Sequence, residues 1–334
     1  MSQVRSSDAD ARLALSRLFA PIAADLAAVD RRLQQELRHS DPFIDELAQH
    51  SFRIGGKRLR PALLLLTAQA VGKVTDDHRT LAAVVEMVHT ATLVHDDVLD
   101  DAEIRRHLDT VNARWNNQTS VLLGDYLFTH AFYLASTLET TFGCRAIGEA
   151  TNTVCEGELR QTASSGKFWL SRDEYLAIIG AKTAELCACC CRLGAHYAGA
   201  EPRLVESLRT FGRKLGMAFQ IIDDLLDLEG EEQTTGKSLG TDLAHRKMTL
   251  PLILLRDQLR KDDIARLQGL YEESDLSHTS MLLGWLEDSG SLQQARQSAE
   301  DYARQATAEL VGLKDSDAKR ALTELARFVV ARNA

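Results

Sequence analysis

Leu93-Val94-His95-Asp96-Asp97-Val98-Leu99-Asp100-Asp101 sets four aspartates at the end of an apolar run, and the residues before it decide how it folds. Leu81, Val84, Val85, Val88 and Leu93 recur with a 3.6-residue period, which predicts a core-facing helix over 78–104. Asp96 and Asp100 then lie one turn apart, with both carboxylates on one face. Like charges at that spacing oppose a helix by roughly a few tenths of a kcal/mol, and aspartate is a poor helix former. Stability does not explain the pattern, whereas a counter-cation does.

Working outward, five prolines stand at 21, 42, 61, 202 and 251, so none interrupts the 140 residues from Ala62 to Glu201. Strict alternation and turn dipeptides are scarce, while Ile178, Leu186 and Leu193 keep helical spacing. The pattern predicts an all-α protein: one bundle of about ten or more helices. Expected helices cover 8–37, 41–53, 58–72, 78–104, 119–139, 144–164, 172–199, 204–229, 247–257 and, after several shorter ones, 316–331. No repeat, low-complexity tract or linker divides the chain, so residues 1–334 read as a single domain with a flexible start at 1–10.

Composition narrows the function. The 334 residues are 45% hydrophobic and 26% charged, as in an ordinary packed protein. A net charge of −9 argues against a general nucleic-acid or anionic-membrane binder. The longest apolar stretch, Pro61 to Val71, falls short of the roughly 20 residues of a membrane span, and Met1 to Ala11 is no secretory signal. A cytoplasmic protein is expected. Cys187, Cys189, Cys190 and Cys191 crowd together without a second ligand pair, so they read as small helix-packing residues rather than a zinc site or a disulfide frame.

The acidic pattern returns at Asp223-Asp224-Leu225-Leu226-Asp227. With 27 aspartates, chance supplies an Asp-Asp-x-x-Asp roughly 0.2 times in such a chain, so two copies carry weight that one does not. Two solvated acidic faces are the plain alternative. Carboxylates are hard ligands, and Mg²⁺ is usually held by one or two of them together with water and substrate phosphates. A polyphosphate also needs fixed cations. Gly55-Gly56-Lys57-Arg58-Leu59-Arg60-Pro61 offers Lys57 and Arg60 near a helix start, though a basic surface turn fits it equally. Arg105-Arg106 offers two guanidinium forks, or simply a helix C-terminus favouring cations. Lys182, Lys237 and Lys247 gain meaning only from their neighbours.

Together these residues resemble the trans-isoprenyl diphosphate synthases of the polyprenyl synthetase family, from about residue 40 to the ending Val330-Ala331-Arg332. The resemblance implies an all-α fold around a deep cavity, a homodimer, and three Mg²⁺ held on an allylic diphosphate by Asp96/Asp97/Asp100 and Asp223/Asp224/Asp227, with Asp96, Asp100, Asp223 and Asp227 as ligands. It implies that Lys57, Arg60, His89 and Arg106 bind isopentenyl diphosphate and Arg105 the allylic diphosphate. Lys182, Thr183, Gln220, Lys237 and Lys247 match positions facing the allylic diphosphate or the developing cation. His89 and His95 suit hydrogen bonding beside phosphate better than general-base chemistry.

The resemblance also bears on product length. The growing chain is expected to run from the metal site along the first acidic helix, past Ala91 and Val88, five and eight residues before Asp96. Short-chain members carry a bulky residue at or beside the first of these positions, whereas alanine leaves it open. The stretch His89-Thr90-Ala91-Thr92-Leu93-Val94-His95-Asp96-Asp97 is similar to that of long-chain enzymes, and the resemblance implies a product of about eight to ten isoprene units. Phe128 and Phe132 are candidate floor residues, with ordinary core packing as the alternative. His107 stands where glycine is common, and His245-Arg246-Lys247 where Glu-Gly-Lys is usual. Rival functions are a shorter-chain geranylgeranyl or farnesyl diphosphate synthase, a catalytically silent subunit, and a terpene cyclase. A cyclase has no need of the second diphosphate site that Lys57, Arg60 and Arg106 suggest.

Overall fold

Thr75 opens the central helix: its N–H donates to His78 Nδ1 at 3.0 Å, and Asp76 and Asp77 occupy the first turn, where the helix dipole favours acids. The computed structural model describes residues 13–53, 56–229, 241–273 and 279–332. The expected flexible start at 1–10, Lys237 and most of its Gly-rich stretch lie outside the described residues. The helices are α1 (Ala23–Glu36), α2 (Pro42–Arg53), α3 (Leu59–Val71), α4 (Asp76–Leu99), α5 (Asn117–Ser136), α6 (Phe142–Ser164), α7 (Arg172–Ile179), α8 (Glu185–Tyr197), α9 (Pro202–Glu229), α10 (Leu250–Gln258), α11 (Lys261–Glu273), α12 (Thr279–Asp288), α13 (Ser291–Ala308) and α14 (Asp317–Val330). Several shorter turns join them.

Three expectations need correction. The first helix does not run unbroken over 8–37. Pro21 lacks an N–H and obstructs the preceding turn, so a 3₁₀ turn, Ala20–Ile22, precedes α1. The helix expected over 78–104 stops at Leu99, and Ile104–Arg105 (β1) pairs antiparallel with Leu108–Asp109 (β2). Arg106 and His107 between them have φ of 53° and 64°, the left-handed pair of a tight hairpin. Arg105 and Arg106 therefore sit on a hairpin, not a helix C-terminus. The expected helix 172–199 is divided by a π-helical turn, Gly180–Ala184, between α7 and α8.

Apolar faces assemble two clusters. The larger buries residues of α1 to α6, α8, α9 and α14; the smaller joins α7 and α9 to α10–α13. Each fully buried leucine in them, such as Leu63, Leu64 and Leu81, contributes about 1.5–3 kcal/mol relative to an exposed one. Helix α9 serves both, with Leu208, Phe211 and Leu215 in the first and Ile221, Ile222 and Leu225 in the second. The second acidic motif thus rides on a helix anchored along its length. Cys187, Cys189, Cys190 and Cys191 are buried helix-packing residues, and burial pushes the Cys189 and Cys191 thiols up to about 12.

Candidate active site

Helix α4 brings Asp96 to its last turn and leaves Asp100 at the C-cap, where the Asp100 N–H donates to Asp96 O at 2.8 Å. Lys182, on the π turn, reaches across to Asp96 at 3.7 Å and to Glu158 of α6 at 2.5 Å. The close approach of α6 depends on Gly157, where a Cβ would fall 2.6 Å from Lys182 N and 2.9 Å from Ala181 Cβ. Gly216 admits α9 to the other side, because a Cβ there would lie 2.6 Å from Ala184 Cα. Burial, opposed by Lys182 but reinforced by Glu158 and Asp100, pushes the Asp96 carboxyl up to about 6.

Lys247 joins the two acidic motifs. Its Nζ donates to Asp100 Oδ1 at 3.1 Å and lies 3.9 Å from Asp242, whose own N–H donates to Asp227 Oδ2 at 3.1 Å. Burial acts against the Asp100 charge, yet Lys247 and then Lys182 hold its carboxyl below the ordinary range. His245 stands 3.9 Å from Asp100. The turn carrying His245 and Arg246 is tied back by Ser165 Oγ to His245 O (3.1 Å) and by the Gly166 N–H to Arg246 O (3.0 Å). Asp223 faces Arg332 at 3.7 Å, and that guanidinium lies over the Phe219 ring.

The middle aspartates do different work from their neighbours. Asp97 is buried and accepts from Arg105 Nε at 2.7 Å, so it fixes the hairpin arginine. Asp224 is buried, accepting from Tyr175 Oη at 2.5 Å and from Gln220 Nε2 at 2.8 Å, while Gln220 Oε1 accepts from Thr183 Oγ1 at 2.7 Å. Burial raises the Asp224 carboxyl well above its usual range.

A second, basic group gathers about His89, seven residues before Asp96 and on the same face of α4. The guanidiniums of Arg60, Arg106, Arg105 and Arg58 surround His89, and burial with these charges holds its imidazole well below the ordinary value. Arg106 packs against Gly56, where a Cβ would fall 2.8 Å from both terminal nitrogens. Burial, and next the charge of Arg105, lowers Arg106 as well. Arg60 Nε is buried without a hydrogen-bond partner, as expected of a donor awaiting an anion. Lys57 is exposed beside it, whereas Arg58 turns inward to Glu86 (2.7 Å) and Asp30 (3.0 Å).

Of the remaining expected residues, Ala91 and Val88 are fully buried in the larger cluster. Phe128 is half-buried with its ring centroid 6.0 Å from that of His95, and Phe132 lies against Gly148 of α6. His95 Nε2 is 3.1 Å from Val121 O of α5. Glu158, Tyr175, Asp242 and Arg332 join the site without having been singled out from sequence. Among them, Asp242 ends the Gly-rich stretch Gly236-Lys237-Ser238-Leu239-Gly240-Thr241-Asp242 and Glu158 follows Gly157, but their partners are brought in by packing.

The donor set suits a hard divalent cation. Among the described residues no three His, Cys, Asp or Glu side chains form a ready-made metal cage. Asp96 with Asp100 and Asp223 with Asp227 instead supply oxygens two at a time, which fits Mg²⁺ completed by water and phosphate oxygens.

Comparison with known proteins agrees with this geometry. The Polyprenyl synthetase profile matches residues 41–282. The octaprenyl diphosphate synthase of Escherichia coli is 35% identical over 312 residues, covering 93% of this chain and 97% of its own. The geranyl-diphosphate-specific all-trans-nonaprenyl-diphosphate synthase of Rhodobacter capsulatus is 35% identical, covering 94% and 97%. A polyprenyl synthase of Caulobacter crescentus, crystallised with calcium and isoprenyl diphosphate, superposes with a TM-score of 0.90 at 38% identity, covering 96% and 98%. On this evidence the chain belongs to the polyprenyl synthetase family.

Proposed function

We propose that this protein is a Mg²⁺-dependent trans-prenyltransferase that condenses isopentenyl diphosphate with an allylic diphosphate, giving a long all-trans polyprenyl diphosphate of about C40 to C50, as the names of its octaprenyl and nonaprenyl relatives suggest. The observation that carries this reading is Lys247, 3.1 Å from Asp100 and 3.9 Å from Asp242, which brings both acidic motifs to one cleft. The separate pocket of Arg60, Arg106 and His89 provides for a second diphosphate.

Asp96, Asp100, Asp223 and Asp227 would hold the metal, which when bound neutralises charge building on the departing diphosphate. Lys182 and Lys247 exchange carboxylates for phosphate oxygens as the allylic C–O bond breaks. Preorganised charge of this kind is usually the largest catalytic contribution. Thr183 Oγ1 and Gln220 Oε1 present oxygens beside the resulting allylic cation. Arg60, Arg106 and Lys57 orient isopentenyl diphosphate, Arg105 braced by Asp97 meets the allylic diphosphate, and the isopentenyl double bond attacks the cation. The proton then lost passes to the released diphosphate, so no side-chain nucleophile is required.

The product runs past Ala91 and Val88, with Phe128 and Phe132 as floor residues. A homodimer accounts for the exposed apolar side chains of α5, Val121, Leu122 and Tyr133, and for Leu159 of α6. The test is incubation with Mg²⁺, labelled isopentenyl diphosphate and farnesyl diphosphate, followed by product sizing with and without chelator. A chelator-sensitive ladder ending near C40 to C50 is expected, shortened in Ala91→Phe. Products ending at C15 or C20 overturn the long-chain reading, and no incorporation with any allylic primer overturns the enzyme.

A further inference from the structure

Arg58 interrupts the cations of Lys57-Arg58-Leu59-Arg60: it turns into the protein while Lys57 is exposed and Arg60 Nε is left without a hydrogen-bond partner. Its backbone, one residue before α3, has φ of 53°. Its side chain ties that position to three other helices. Nε donates to Asp30 of α1 at 3.0 Å, Nη1 donates to Glu86 of α4 at 2.7 Å, and the guanidinium lies 5.6 Å from the Phe52 ring of α2. A left-handed residue with a Cβ persists only where its surroundings over-determine it. Glu86 is the enclosed partner, 1% exposed, whereas Asp30 is half-exposed. Glu86 also stands three residues before His89, on the face of α4 about which Arg60, Arg106 and Arg105 gather. A carboxylate placed there for its charge alone would repel a diphosphate.

We propose that Glu86 is a positioning residue for isopentenyl diphosphate: it holds Arg58 inward, which fixes the left-handed turn at 58 and so aims Lys57 and Arg60 at the diphosphate. The inference rests on the prenyltransferase reading given above. With the hold on Arg58 weakened, the backbone at 58 relaxes toward the right-handed region, and the residues on either side of it change direction. Lys57 and Arg60 then meet the isopentenyl diphosphate out of register. The allylic diphosphate is untouched, because its partners stand on α4, the β1–β2 hairpin, α9 and the turns carrying Lys182 and Lys247. Positioning and charge therefore act in opposite directions: losing the carboxylate weakens isopentenyl diphosphate binding if Glu86 positions, and strengthens it if only its charge is felt.

The experiment is steady-state kinetics of Glu86→Gln in the full chain with isopentenyl and farnesyl diphosphates, with the melting temperature as a fold control. Glutamine keeps the shape and an acceptor for Arg58 but not the charge that holds it. The expected result is a KM for isopentenyl diphosphate raised about 5- to 20-fold, with the KM for farnesyl diphosphate and kcat within about twofold. In an Arg58→Met background the same substitution should raise that KM by no more than about twofold, because the two act through one contact. A lowered or unchanged KM for isopentenyl diphosphate, an equal rise for both diphosphates, or a further rise in the Arg58→Met background would overturn the proposal. If Glu86→Gln fails to fold, Asp30→Asn loosens the same guanidinium from its half-exposed side and should give the same selective rise; an ordinary KM there overturns the proposal equally. An unaltered protein that incorporates no isopentenyl unit would instead sink the prenyltransferase reading, and this inference with it.

Discussion

His107 has φ of 64° and follows Arg106 at 53°, so both central residues of the β1–β2 turn occupy a region that side chains with a Cβ resist. Among the described residues three further non-glycine residues share it, Arg58, Asp101 and Arg246, and each borders the acidic cleft or the basic pocket. Strain there is held by surrounding contacts, such as Arg105 bonded to Asp97. His107→Gly should therefore stabilise the protein by about 1 kcal/mol, net of the glycine's added freedom when unfolded. For a chain of this size that raises the melting temperature by about 1 °C, measurable by calorimetry. Asp96 carries a second prediction, for the metal-free protein. Its folded value of about 6 exceeds the ordinary carboxylate value of about 4. The folded state thus binds the proton more tightly, and stability contributed at low pH is lost as pH rises from about 4 to about 6. The loss is on the order of 3 kcal/mol. Asp96→Asn should remove that slope from pH-dependent urea unfolding in chelator; a slope identical to the unaltered protein would contradict the assignment to Asp96.

At the scale of the elements, what sequence could tell depended on whether the cause was local. Periodicity at Leu81, Val84, Val85 and Val88 located α4 because burial of one face is written along the chain. The hairpin after it was not legible. Its strands have two residues each, and Arg106-His107 lacks the Asn-Gly or Asp-Gly that announces such a turn. The π turn at 180–184 was equally hidden: Gly180 opens it, but a single glycine inside a helical pattern does not announce a π turn. It is imposed by packing against Gly157 and Gly216. The aspartate motifs were legible as motifs, but not the division of labour inside them: Asp97 is set apart by burial against Arg105, and Asp224 by burial against Tyr175 and Gln220. Gly157→Ala tests the imposed turn directly. Its Cβ meets backbone at 2.6 Å, which no side-chain rotation relieves. The expected result is a destabilisation of about 1–3 kcal/mol, with a lowered kcat because Lys182 moves from Asp96. A variant with native stability and rate would show that α6 yields instead of the turn.

Helix α5 connects the interior of the molecule with its outer face. On the inner side Ser120 Oγ donates to Val94 O at 3.1 Å, and Gly124 leaves the space that His95 fills, so α5 braces the turn of α4 that carries Asp96. On the outer side the same helix exposes Leu122 at 59% and Tyr133 at 65%, a cost in water that a second copy of the chain would remove. In a twofold assembly each side chain enters the interface twice, so a charge placed on it is introduced twice. Leu122→Arg combined with Tyr133→Arg should weaken association by at least about 100-fold, roughly 3 kcal/mol. Sedimentation velocity would register this as a shift from dimer to monomer at micromolar protein. Because the brace on Asp96 and the exposed face belong to one helix, activity per protomer should fall over the concentration range in which the variant dissociates. A variant that stays dimeric would move the interface to another face, whereas a fully active monomer would show that α5 braces α4 without help from a partner.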